Sequence, residues 1–106
     1  MIIVVVHHWC KPDMVDAARR RVDENGDLAA SAPGFLFRYR LERPEEPLRI
    51  STVSAWTTRE AYRAATEAKN VKDKAANLES PYERALNEVF EVANVHGELP
   101  AALAAV

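Results

Sequence analysis

At 106 residues the chain has the length of one domain, and its 48% hydrophobic content excludes general disorder. Its 14 basic and 16 acidic side chains are interspersed and sum to a net charge of −2, which excludes the basic footprint of a nucleic-acid binder. Cys10 is the single cysteine, so no internal disulfide forms and a reducing cytoplasm is expected. The apolar start, Met1 to Val6, is too short to span a bilayer or to serve as a signal peptide, so no membrane partner is expected either.

Ile2 to Cys10 predicts the first strand. Ile2, Val4, Val6, His8 and Cys10 fall on one face, and Ile3, Val5, His7 and Trp9 on the other. Both faces are apolar over most of their length, as in a central strand covered on both sides. Lys11-Pro12-Asp13 closes it, with Asp13 as cap for a helix whose apolar stripe is Val15, Ala18 and Val22. Asn25-Gly26 is expected to bend or end that helix, and Pro33-Gly34 to terminate it.

Phe35, Phe37, Tyr39 and Leu41 alternate with Arg38, Arg40 and Glu42, the period of a strand with one buried and one wetter face. Arg38 and Arg40 belong on the wet face of an edge strand, with the steering of an anionic ligand as the alternative. Pro44 and Pro47 break the ladder, and Leu48 to Trp56 forms a third strand rich in β-branched residues. Thr57-Thr-Arg-Glu60 reads as a capping box for a second helix, with Ala61, Tyr62, Ala65 and Ala68 facing inward and an interruption at Lys69-Asn70. Ser80-Pro-Tyr-Glu83 reads as a second box, which predicts a short helix from Pro81 to about Leu86. Asn87 to Val95 follows as the fourth strand, and 98–106 as an alanine-rich tail behind a domain of residues 1–97.

This order predicts an α+β fold of ferredoxin-like β-α-β-β-α-β topology, a four-stranded antiparallel sheet with both crossover helices on one side. The first and fourth strands are apolar on both faces, so the uncovered face predicts a homodimer packed sheet to sheet.

Three segments carry a resemblance: Cys10-Lys-Pro-Asp13, Ala32-Pro-Gly-Phe35 and Ala55-Trp56-Thr-Thr-Arg-Glu-Ala61. In that arrangement the chain resembles the antibiotic-biosynthesis-monooxygenase-like group of dimeric α+β barrels, over roughly Ile2 to Val95. The resemblance implies a cofactor-independent monooxygenase-like enzyme acting on a small phenolic, quinol or polyketide-like compound. It equally implies the alternatives found on this barrel, a non-catalytic ligand-binding or assembly protein, or an isomerase or cyclase. Polyketide oxygenases of the group place an Asn four residues before a Trp. Here Trp56 matches and Thr52 stands at the Asn position. The Trp and His of the haem-degrading members fall at about Ala65 and Ala75, so no haem and no other cofactor is implied.

The residues suited to chemistry are few. His7 and His8 point to opposite faces, and a neutral histidine can take a proton from a phenol or enol. Parity assigns the pocket to His8 if the Val4–Val6 face lies under the helices, and to His7 otherwise. Thr52 and Ser54 are small, share a face with Trp56, and with Tyr39 can bound an apolar pocket for a small-molecule ligand. His8 and Cys10 share a face, but two donors and a distant His96 are too few for a metal, and none is expected.

Overall fold

A computed structural model describes residues 1–97 of the chain. The expected tail, 98–106, lies outside the described residues. The elements are β1 (Ile2–Cys10), α1 (Val15–Ala30), β2 (Phe35–Glu42), β3 (Arg49–Trp56), α2 (Arg59–Ala76) and β4 (Tyr82–Glu91). The four strands form one sheet in the order β2-β3-β1-β4 with every neighbouring pair antiparallel, so the ferredoxin-like α+β topology is as expected.

The register fixes the two faces. Ile2, Val4, Val6 and His8 oppose Trp56, Ser54, Thr52 and Ile50. Most of these side chains are buried, and they pack on Ala18 and Val22 of α1 and on Ala61, Tyr62 and Ala65 of α2. The even-numbered face of β1 is therefore the helix-covered one. The odd-numbered face, with Ile3, Val5, His7 and Trp9, has no helix over it. Four large apolar side chains project from that open face about half exposed: Tyr39, Leu41, Leu86 and Phe90.

Local chemistry departs from the sequence-based expectation at several points. The α1 N-cap is Met14, without a side-chain cap, rather than Asp13. α1 also runs unbroken through Asn25-Gly26. For α2 the cap is Thr58, one residue later than the expected Thr57; its hydroxyl accepts from the Ala61 N–H at 3.1 Å. The helix continues through Lys69-Asn70 and ends on Asn77 in the left-handed region at φ 50. The expected helix at Pro81–Leu86 does not form. Ser80 caps only a turn, accepting from the Tyr82 N–H at 3.2 Å, and the backbone then enters β4 five residues before the expected Asn87. Pairing along the whole of β1 outweighs one capping box, because each ladder bond satisfies a backbone group that a short helix would leave in water.

β2 carries the largest departure. A bulge between Phe35 and Phe37 shifts the register. Phe35 stays on the helix-covered face, edge-on to Trp56 at 5.4 Å. Beyond the bulge Arg38, Arg40 and Glu42 oppose Ser54, Thr52 and Ile50 and so lie on the helix side of the sheet; Arg40 and Glu42 stay exposed as expected for the wet side, whereas Arg38 is partly buried against α1. There Arg38 Nη1 donates to the Val22 carbonyl at 2.6 Å, and Arg40 Nη1 donates to Asp23 Oδ2 at 2.7 Å. Arg19 Nε donates to Glu42 at 2.8 Å. The strand's polar side is thus sewn to α1.

Candidate functional site: the His8 region between helix and sheet

The two helices cover the sheet unequally. α1 buries Ala18 and Val22, whereas α2 buries no residue at all. At its N-terminal end α2 lays Ala61, Tyr62 and Ala65 against Ile2, Val4 and Trp56. Farther along, its half-buried inward residues are Lys69 and Asp73, an ion pair at 3.6 Å. Alanines and an ion pair bury little apolar surface, so they hold the C-terminal half of α2 only loosely to the sheet. Lys69 of this half acts on His8, beside which Tyr82 packs against Cys10, Ala18, Val22 and Ile50 on the α1 side.

His8 is the chemical centre of that region. Its ring stacks on Tyr82 with centroids 4.3 Å apart and planes tilted by 32°. Burial lowers its pKa from 6.5 to about 4, with the Lys69 and Arg38 cations adding to the effect and a backbone hydrogen bond at Ile50 opposing it. His8 is therefore a neutral imidazole at any pH near neutrality, and a weaker base than a free histidine. Tyr82 moves the other way. Burial raises its phenol to about 12, against the lowering pull of Arg21, so it stays protonated. Among the described residues, His8 Nδ1 and the Tyr82 hydroxyl are buried without a hydrogen-bond partner. Burial also lowers the Arg38 pKa, opposed by Tyr82 and by Asp23 and Asp27.

Trp56 closes the opposite end. It is 3% exposed, is held edge-on by Phe35 and Tyr62, and donates from Nε1 to Ser54 Oγ at 3.1 Å. That bond satisfies the Ser54 hydroxyl inside the core, where an unpaired one is costly. Asn87 Nδ2 donates to the Tyr62 hydroxyl at 3.2 Å and ties α2 to β4. Outside this tie, a recess of about 180 Å³ is lined by Arg59, Tyr62, Arg63, Thr66, Glu67 and Val89. A second recess of about 270 Å³ lies between α1 and the segment before β4, lined by residues that include Met14, Arg20, Arg21, Leu78 and Glu79. The larger recess is remote from Trp56, so size does not mark the chemically equipped region.

Of the residues singled out in the sequence, His8, Thr52, Ser54 and Trp56 share the helix-covered face. His7 and Tyr39 lie on the open face. His7 Nδ1 is 2.6 Å from Ser51 Oγ, and Tyr39, 53% exposed, packs on Phe37. Tyr39 is thus separated from Trp56 by the thickness of the sheet. Sequence reasoning did not place Tyr82, Lys69 or Asp73 near His8, and it named Arg38 only as a solvated residue that could steer a ligand. The available signal was parity: Tyr82, Ala85, Asn87 and Val89 oppose the helix-side residues of β1 once a strand is admitted there. Among the described residues, no group of three or more His, Cys, Asp or Glu side chains is clustered to hold a metal ion, and no helix is long and apolar enough to cross a membrane.

Comparison with known proteins gives this arrangement a family. The family model described as antibiotic biosynthesis monooxygenase matches residues 1–77. No curated protein sequence matches the chain. Among solved structures, SnoaB from Streptomyces nogalater, a cofactor-independent oxygenase, superposes with a TM-score of 0.70 at 17% identity, covering 92% of this chain and 97% of its own. MhuD from Mycobacterium tuberculosis, a heme-degrader seen with two hemes in its active site, gives 0.71 at 18% identity, covering 92% of this chain and 100% of its own. A Pseudomonas aeruginosa protein gives 0.76 at 9% identity over 88% of this chain and 94% of its own. At such identities the superpositions establish a common fold and nothing of the substrate. The family match spans most of the chain and every element up to the end of α2, and on that basis the chain belongs to the antibiotic biosynthesis monooxygenase family.

Proposed function

We propose that this protein is an oxygenase without a tightly bound cofactor, acting on a small phenolic, quinol-like or polyketide-like compound held between α2 and the sheet. The observation that carries the proposal is the placing of His8: a neutral, half-buried imidazole beside the Arg38 and Lys69 cations, under a helix that buries nothing. The cations that push a proton off His8 act in the same direction on any hydroxyl bound beside it. They offset part of the cost that burial adds to ionising a phenol or enol there, and His8 accepts its hydrogen bond while the oxyanion forms. An electron-rich phenolate or enolate can itself reduce dioxygen. In the overall balance a CH2 group of the compound becomes C=O, and dioxygen supplies that oxygen and one molecule of water. Trp56 and Phe35 form the apolar end against which a ring can lie.

Two copies complete the molecule. Tyr39, Leu41, Leu86 and Phe90 give the open face more exposed apolar surface than a monomer of this size normally leaves in water. We therefore assign that face to a homodimer. His7, on the same face, belongs to the dimer region in this scheme and His8 to the ligand. The buried reduced thiol of Cys10 suits a cytoplasmic setting.

Oxygen uptake with a panel of anthrones and hydroquinones, together with mass analysis of products, tests the activity. The expected result is turnover above the spontaneous rate that falls at least about a hundred-fold in His8→Ala, the range of a positioned acid–base group. Conversion without oxygen consumption would make the protein an isomerase or cyclase instead. Binding without any conversion would make it a ligand-binding protein.

A further inference from the structure

The recess of about 180 Å³ between α2 and β4 borders the core directly. Two of its lining residues, Tyr62 and Val89, also pack on the cluster of Ile2, Val4 and Trp56, so they form the wall between recess and core. Val89 is fixed by the backbone of β4, paired with Val4 of β1. Tyr62 is held by less. Its ring lies edge-on to Trp56 with centroids 5.7 Å apart, and its polar tie is the 3.2 Å bond that its hydroxyl accepts from Asn87 Nδ2. That bond lies at the exposed surface, where water competes for both groups. The helix adds little restraint of its own, since α2 buries no residue. A tyrosine on a helix can occupy either of two χ1 rotamers, and the recess is open space on the outer side of this ring. A space of that size holds a benzene ring.

We propose that Tyr62 is a gate through which a small phenol reaches Trp56. When the Asn87 bond breaks, the ring swings outward into the recess. The place it leaves, edge-on to Trp56 and within reach of Asn87, takes the ring of the ligand. The ligand repeats the contacts of the side chain it displaces: its ring meets Trp56, and its oxygen accepts from Asn87 Nδ2. Arg59, whose Nε donates to Glu91 at 3.1 Å, keeps the start of α2 on β4, so the ring moves and the helix does not. The inference rests on the reading that a phenolic compound lies between α2 and the sheet, and it names the way in.

Trp56 reports the gate by fluorescence once Trp9, the other tryptophan, is replaced by phenylalanine. Acrylamide quenching is measured at pH 7 on this Trp9→Phe parent and on the same chain carrying Asn87→Ala or Gly26→Ala. Asn87→Ala removes the tie and should raise the quenching constant at least about three-fold, the effect of one modest hydrogen bond on the open population. Gly26→Ala disturbs α1 without touching Tyr62 and should leave the constant unchanged. Calorimetry then follows p-cresol. It should bind the parent at millimolar concentration and bind Tyr62→Ala at least about three-fold more tightly, because the ring no longer has to move. Adding Asn87→Ala to Tyr62→Ala should weaken p-cresol by about three-fold or more and leave toluene, which has no oxygen, unchanged. Unchanged quenching in Asn87→Ala, an equal rise in Gly26→Ala, p-cresol bound by Tyr62→Ala but not by the parent, or a toluene affinity that falls as far as that of p-cresol would overturn the inference. None of these readouts needs turnover. A working gate without oxygen uptake on the quinol panel would refute the oxygenase alone, and turnover with unaltered quenching would refute the gate alone.

Discussion

The depressed pKa of His8 predicts a specific pH dependence of stability. In the folded chain His8 titrates at about 4 and in the unfolded chain near 6.5. Between those values the unfolded state binds one proton more than the folded state, so stability rises with pH in this window. The contribution is complete above about pH 6.5, is lost as pH falls toward 4, and changes no further below that. At about 1.4 kcal/mol per unit the full difference is about 3 kcal/mol, and solvent reaching the half-exposed ring reduces it to about 1–2 kcal/mol. His8→Phe retains a ring against Tyr82 and removes the titration. Urea unfolding followed by far-UV circular dichroism at pH 7 and 4.5, at one protein concentration, measures both proteins. Wild type should lose about 1–2 kcal/mol more than His8→Phe between the two pH values. Carboxylates protonate in the same range but do so in both proteins, and the comparison cancels them. Equal losses would show that His8 is as well solvated as a free histidine and that the cationic, helix-covered setting described for it is mistaken.

Three other outcomes follow from the packing. Gly26→Ala puts a Cβ against Arg38 Nη1 and so forces the guanidinium off the Val22 carbonyl; the better helix propensity returns about 1 kcal/mol and the lost charge-assisted bond costs about 1.5–3, so a net loss of about 1 kcal/mol is expected by denaturant titration. Thr58→Ala removes the hydroxyl that accepts from the Ala61 N–H and should cost about 1 kcal/mol, whereas Thr57→Ala should cost less at the helix start. Sedimentation should give about twice the 11.9 kDa chain mass, and Leu86→Glu with Phe90→Glu should give monomer; a monomeric wild type would refute the sheet-to-sheet homodimer.

The topology was legible because β1 and β3 carry long β-branched runs and the turns around them carry proline and glycine, signals that need no knowledge of tertiary contacts. Parity along β1 was legible too, and with it the consequence that exactly one histidine lies under the helices: burial of Val4 and Cys10 against α1 and α2 residues identifies it as His8. The end of the chain was less legible. Ser80-Pro-Tyr-Glu83 satisfies the local rule for a helix start, and the competing demand comes from β1, some 70 residues earlier in the chain, whose free edge needs a partner along its whole length. Tyr82 was missed for that reason, since on a helix it would have had no fixed relation to His8. Lys69 and Asp73 were missed because a half-buried ion pair under a loosely seated helix has the composition of a solvated surface.

The arginines of β2 show how a single inserted residue decides the chemistry of a site. Strict alternation from Phe35 puts four large apolar side chains on one face and makes Arg38 and Arg40 the solvated side. Phe35 is not free to follow that alternation, because its ring is fixed edge-on to the buried Trp56. The strand resolves the conflict with one extra residue at the bulge, after which Phe37, Tyr39 and Leu41 emerge on the open face and Arg38 turns beneath α1. Turning a guanidinium inward requires an acceptor and room. The Val22 carbonyl supplies the acceptor, and Gly26, one turn farther along α1, supplies the room, since a Cβ there would collide with Arg38. The glycine that reads as a helix breaker is thus the residue that lets an unbroken helix lie over a buried cation. The same bulge therefore has two effects. It releases apolar side chains to the open face proposed for a second copy, and it delivers a cation to the helix-covered face that carries His8 and Tyr82. A substitution that removed the bulge would be expected to disturb both faces of the sheet together.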